Sequence, residues 1–268
     1  MARQHRPVLS ADEVGQFSEE GYVCLRAAFP RHLALECQDL AFNQLGIDEA
    51  DPTSWRGPVV RGLVEGDATR RAANAPRLLA AVHQLLDPER WMERPNLGAF
   101  VVRFPSDVDP GDAGWHIDSS FQRQGGSDWY VNYRSRGRGL LLLCLLSDVG
   151  PDDAPTRILP GSHRLTPPLL WPFGEEGVAG LEAPLPPPTG PVVLATGEAG
   201  DVYLCHPFLV HAASWPHHGG APRFVSQPPI SLWSSLRIDD GDQPLSVVAQ
   251  TVHDSLRGAH PLPPDLPG

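Results

Sequence analysis

His116 and Asp118 stand two residues apart in Gly114-Trp115-His116-Ile117-Asp118, a spacing that in extended backbone turns both side chains to one face and Ile117 to the other. Two such ligands can converge on one ion. Far downstream, His211 lies in an apolar stretch, Phe208-Leu209-Val210-His211-Ala212-Ala213, and supplies a second imidazole. Two imidazoles and one carboxylate on one side of an ion, with the remaining positions open, are the facial donor set of non-haem Fe(II) oxygenases. Arg223 follows twelve residues after His211, and its planar fork suits a carboxylate held by two parallel hydrogen bonds.

With these residues go two further blocks, Asp153-Ala154-Pro155-Thr156-Arg157-Ile158-Leu159-Pro160-Gly161-Ser162-His163, and Gly200-Asp201-Val202-Tyr203 leading into His206-Pro207. Together they resemble the phytanoyl-CoA dioxygenase-like (PhyH) family of Fe(II)/2-oxoglutarate dioxygenases, whose pattern is His-x-Asp, a distant His and an Arg about a dozen residues beyond. The likeness spans nearly the whole chain. It implies Fe(II) on His116, Asp118 and His211, with 2-oxoglutarate and O2 as cosubstrates and Arg223 holding the far carboxylate of 2-oxoglutarate. It further implies oxidation of an unactivated C–H bond of a small-molecule metabolite, with release of succinate and CO2. Thr156 and Arg103 are second candidates beside the cosubstrate, and Trp115 and Trp129 flank the metal segment as pocket walls.

Other chemistries use similar ligands. An isomerase or hydrolase of cupin type could place zinc or manganese on the same donors, because geometry alone does not name the metal; Arg223 argues against it. A non-catalytic jelly-roll binding module has no use for an intact triad. Halogenating members of the enzyme class replace the carboxylate ligand by a small residue, whereas this chain keeps Asp118.

Such ligands need a rigid frame. At 268 residues the chain suits one domain, and 30 prolines with 26 glycines suit many short strands joined by turns. Residues 1–95 read as helix-rich, with a capping box at Ser10-Ala11-Asp12-Glu13, a second helix at 30–45 and a third at 75–86. Strands are expected at 22–25, 97–104, 129–133, 139–146, 192–195, 201–205, 208–213 and 223–230, within a core over 96–232, and residues 244–257 read as a closing helix. This pattern suggests a jelly roll or barrel, and the resemblance implies a double-stranded β-helix, cupin-like, with helices packed on it. Residues 181–191 hold five prolines and read as a rim loop.

The formal charge of −11 excludes nucleic acid as an expected partner and makes a strongly anionic substrate such as an acyl-CoA surprising. The four cysteines lack CxxC spacing and read as buried thiols of a reducing compartment. The polar start of the chain and the lack of a long apolar run point to the cytoplasm with no membrane span, and a monomer or homodimer is expected without a sequence feature that decides between them.

Among the remaining histidines, His206 reads as structural, His163 as part of a Pro-Gly-Ser-His turn, and His217-His218 as a solvated loop pair. Arg134, Arg136 and Arg138 alternate, so in extended backbone all three share one face, where they either guard a sheet edge or bind an anionic group of the substrate at the pocket mouth.

Overall fold

The computed structural model describes residues 7–48, 50–86, 90–239, 241 and 243–259. The polar start, residues 1–6, lies outside them. At the first helix, α1 (Ala11–Glu20), the Ser10 hydroxyl accepts from the Glu13 amide at 3.2 Å, and the Glu13 carboxylate accepts from the Ser10 amide at 2.7 Å. That closes the expected capping box. Gly21, at φ 85°, ends the helix in a left-handed cap that would strain a side chain.

There follow β1 (Tyr22–Leu25), α2 (Arg31–Leu45), β2 (Val59–Leu63), α3 (Asp67–Ala73), α4 (Pro76–Leu85), β3 (Ala99–Arg103), β4 (Phe121–Gln122), β5 (Trp129–Val131) and β6 (Arg138–Leu145). The second half adds β7 (Arg157–Ile158), α5 (Ser162–Leu170), β8 (Val178–Ala179), β9 (Val193–Leu194), β10 (Val202–Cys205), β11 (His211–Ala212), β12 (Arg223–Ser226), β13 (Pro229–Ser231) and α6 (Val247–Ala259). All strand pairing is antiparallel, in one large sheet ordered β1-β10-β6-β12-β3-β2, with β13 also on β6, and two small sheets, β11-β7-β9 and β4-β5-β8.

Strand β6 shows why the large sheet lies at the centre. Every residue of its Arg-Gly-Leu-Leu-Leu-Leu-Cys-Leu run is buried. Leu140, Leu142 and Cys144 join a cluster with helix residues Phe17, Cys37, Leu78 and Val252, while Leu141, Leu143 and Leu145 join a second cluster with Ile158, Ala195 and Leu209. Helices therefore cover one face of the sheet and the β11-β7-β9 sheet covers the other. Each fully buried leucine contributes about 1.5–3 kcal/mol, so a strand buried on both faces reads as one continuous apolar run.

Three regions differ from the sequence reading. Residues 223–230 form two strands, because Pro228 has no amide to donate; its carbonyl accepts from Leu142 at 2.9 Å instead. Residues 160–161 form the turn expected there, with Gly161 at φ 77°, and residues 162–170 run on from it as helix α5, despite Pro167 and Pro168 inside it. Buried Leu170, and the Thr166 hydroxyl on the carbonyls of Ser162 and Phe208 at 2.9 and 3.1 Å, anchor that helix, so tertiary packing overrides the proline penalty. Helix α3 and strand β2 lie where no periodic apolar pattern marks an element.

Candidate metal centre

His116 and His211 exchange backbone hydrogen bonds, each amide donating to the other's carbonyl at 3.0 Å, which joins the loop before β4 to β11. The pairing brings the two rings to 4.4 Å between centroids. Asp118 follows two residues on with Ile117 buried between, and the Oδ atoms of Asp118 lie 3.9 Å from His116 Nε2 and 4.0 Å from His211 Nε2. One ligand atom from each of the three residues falls within 4.8 Å of the others.

Their outer contacts set the tautomers. His116 Nδ1 lies 2.9 Å from the Gly114 carbonyl and His211 Nδ1 lies 3.0 Å from the Leu209 carbonyl. A carbonyl only accepts, so each Nδ1 carries the proton and each Nε2 keeps its lone pair for an ion. Burial pushes the Asp118 carboxyl up, but His211, Arg138 and His116 outweigh it and hold the group below its ordinary range. Burial also lowers His211, which stays neutral.

A cavity of about 230 Å³ adjoins the centre, lined by His116 and His211 together with Arg61, Arg103, Asp112, Thr156 and Arg223. Arg103 and Arg223 are direct cross-strand partners in β3 and β12, and both are buried. Like charges placed so are unfavourable. Asp112 neutralises Arg103, accepting from its Nη2 at 2.9 and 2.8 Å, and also pairs with Arg61. Arg223 has no carboxylate partner among the described residues. Its Nη1 donates to the Ala154 carbonyl and its buried Nε has no partner. Burial first, and then Arg103, push its guanidinium down to about 9. A small anion in this cavity would relieve both deficits.

A second cavity, of about 630 Å³, is lined by His116 and Asp118 together with Ile117, Ser119, Asp128, Trp129, Leu181 and Glu182. Gly180 packs so closely on Ser119 that a Cβ there would collide with the Ser119 hydroxyl, and this contact brings residues 179–182 against the metal loop.

Some of the other candidate residues lie elsewhere than expected, and some, such as His206, His163 and Trp129, lie as expected. The 132–137 segment is turned rather than extended, with Ser135 at φ 45° and Gly137 at φ 83°, so the three arginines diverge. Arg134 pairs with Glu175 at 3.2 Å, Arg136 stacks over Phe121 at 4.9 Å, and neither lines either cavity. Arg138 turns inward and holds Asp118 at 2.8 Å, a role invisible in the spacing. His217 is buried instead of solvated, bridged through its backbone to Ser106, while His218 is exposed on Asp107 at 2.9 Å. His206 and His163 are buried away from the triad, His206 on Thr251 at 2.9 Å. Trp115 lies under Arg157 at 4.8 Å, and Trp129 lines the second cavity.

The family model for phytanoyl-CoA dioxygenase (PhyH) matches residues 6–225, most of the chain and every residue of this centre. The chain belongs to the PhyH family. It is thereby an Fe(II)/2-oxoglutarate-dependent enzyme. Solved structures of similar fold include HygX from Streptomyces hygroscopicus with nickel, 2-oxoglutarate and hygromycin B, 20% identical over 82% of this chain and 86% of that one, at a TM-score of 0.51. The 2-oxoglutarate-dependent carbocyclase SnoK of nogalamycin biosynthesis is 16% identical over 85% of each chain, at a TM-score of 0.52. No curated protein sequence matches. For a PhyH enzyme the donor set fits its metal: two imidazoles with Nε2 turned inward and one ionised carboxylate, with the residues of the set lining two cavities. Among the described residues no helix is long and apolar enough to cross a membrane.

Proposed function

We propose that this PhyH enzyme hydroxylates an unactivated C–H bond of a small-molecule metabolite, with His116, Asp118 and His211 holding Fe(II) and Arg223 holding the far carboxylate of 2-oxoglutarate. The observation that carries the reading is the shared cavity: a buried guanidinium without an anion lies in the same 230 Å³ space as both imidazoles. When bound, the iron and 2-oxoglutarate supply O2 activation, coupled to formation of succinate and CO2. The chain's own residues bind, orient and exclude water. Arg223 and Thr156 hold the cosubstrate, and Arg103, fixed by Asp112, sets the positive potential of the cavity floor. The larger cavity, lined by His116 and Asp118, receives the molecule to be oxidised.

The large sheet and the β11-β7-β9 sheet enclose the second core cluster between them, which supports a double-stranded β-helix as the frame. One core cluster containing residues from Leu9 to Leu256 supports a single domain. The four free cysteines support a cytoplasmic enzyme, where thiols stay reduced.

The test is succinate formation under air with Fe(II), 2-oxoglutarate and ascorbate across a panel of metabolites. Stimulation by one of them, with the hydroxylated product found by mass spectrometry, is expected. Protein that binds 2-oxoglutarate no better with Fe(II) than without it contradicts the reading.

A further inference from the structure

The cavity over the substrate side of the centre has a definite chemical character. Ile117, Ala179 and Leu181 give it apolar surface, and the Trp129 indole, 55% exposed, offers a flat ring face. Its charged lining beyond the metal ligands is wholly acidic. Asp128 and Glu182 stand at this cavity, and neither carboxylate has an ion-pair partner among the described residues.

Among the described residues no guanidinium lines the cavity, and each arginine of the neighbouring strands and turn is engaged elsewhere. Arg123 lies on the Tyr130 ring at 3.8 Å and donates to the Glu176 carbonyl. Arg134 is on Glu175, Arg136 on Phe121, and Arg138 is neutralised by Asp118. The space thus combines apolar walls, one exposed aromatic face and two unpaired carboxylates, in a chain of net charge −11.

We propose that this cavity selects a cationic substrate, a small molecule carrying a protonated amine beside an apolar or ring-shaped body. The proposal rests on the reading of the centre as an Fe(II)/2-oxoglutarate site. The amine lies by Asp128 and Glu182, where an indole face adds cation–π attraction, and the apolar body is left nearest the ligands His116 and Asp118. An anionic substrate meets repulsion at the same place, which reverses the expectation that Arg134 or Arg136 binds a negative group.

Three probes of nearly one shape and different charge test it: 2-phenylethylamine, 2-phenylethanol and phenylacetate. Each is titrated by calorimetry, without O2, into protein loaded with Fe(II) and 2-oxoglutarate, while the visible band of the loaded centre reports whether the probe lies beside it. Exposed ion pairs are individually weak, so the amine is expected to bind about fivefold more tightly than the alcohol, with the acid weakest and the preference shrinking in high salt. In the double variant Asp128→Asn/Glu182→Gln the amine and the alcohol should agree within about twofold. An alcohol or acid that binds as well as the amine overturns the proposal, as does a preference that survives the double variant, or no binding of the amine at about 10 mM. Loss of the band itself would instead strike the reading of the centre, whereas an intact band without amine preference strikes this inference alone.

Discussion

The Arg138 guanidinium lies 2.8 Å from Oδ2 of Asp118 and also donates to the Ser119 carbonyl at 2.6 Å, so the carboxylate ligand is clamped from behind by a buried cation. Oδ1 is left facing His116. Groups that orient a metal ligand in this way typically account for 10–100-fold in metal affinity. Arg138→Ala is therefore expected to weaken Fe(II) binding by about tenfold, and Arg138→Lys, which keeps the charge, to recover part of the loss. Anaerobic equilibrium titration with Fe(II) measures both. Affinity that is unchanged or tighter in Arg138→Ala would show that the clamp does not orient Asp118.

Arg223 and Arg103 face each other across β12 and β3, and the fold neutralises only Arg103. Removing the Arg223 charge while keeping its stem therefore separates binding from stability. In Arg223→Met the protein without cosubstrate should unfold at an unchanged or higher denaturant midpoint, because a like-charge contact is gone. Binding of 2-oxoglutarate should fall at least tenfold, since a charge-assisted carboxylate pair lost from a dry site costs about 2–5 kcal/mol. Unchanged 2-oxoglutarate affinity would move the anion to another residue, with Arg103 next to be tested.

The parts of this arrangement legible in sequence are those set by short-range geometry. Alternation alone places Ile117 in the core and His116 and Asp118 on the opposite side, although the segment is a loop bridged to His211 and not a regular strand. The capping box and the apolar run of β6 were equally plain. Residues whose positions depend on a turn were not. Ser135 and Gly137, both at positive φ, swing Arg138 under Asp118 and send Arg134 and Arg136 outward, which no strand or helix period encodes. Asp112, the partner of Arg103, lies in a glycine-flanked loop with no motif around it. The burial of His217 depends on its bridge to Ser106, a contact distant in sequence. Gly137 itself is the hint in the sequence, because a glycine between two arginines suggests a turn as readily as a strand.

Buried histidines set a pH dependence of stability away from the centre. Burial pushes His163 down to about 4 from an ordinary value of 6.5, and lowers its ring neighbour His206, 4.8 Å away, well below that value. Unfolding exposes these imidazoles to protonation, so the unfolded chain binds more protons and stability rises with pH across this window. The His163 contribution is present in full above about pH 6.5 and is lost as pH falls toward 4, amounting to about 2 kcal/mol by pH 5. His163→Gln should flatten the decline in denaturant midpoint between pH 7 and 5, relative to wild type, by a comparable amount. Parallel pH profiles for the two proteins would contradict this assignment.

The central claim is that His116, Asp118 and His211 together hold one Fe(II) against which 2-oxoglutarate chelates. Asp118→Ala leaves two neutral imidazoles for a dication, and loss of either histidine leaves one. Anaerobic titration with Fe(II) and 2-oxoglutarate, followed by visible absorption, measures the assembled centre directly. The wild type should develop a charge-transfer band that saturates at one iron per chain, and His116→Ala, Asp118→Ala and His211→Ala should each lose it under the same conditions. A band at full strength in His116→Ala or His211→Ala would contradict the assignment of the centre.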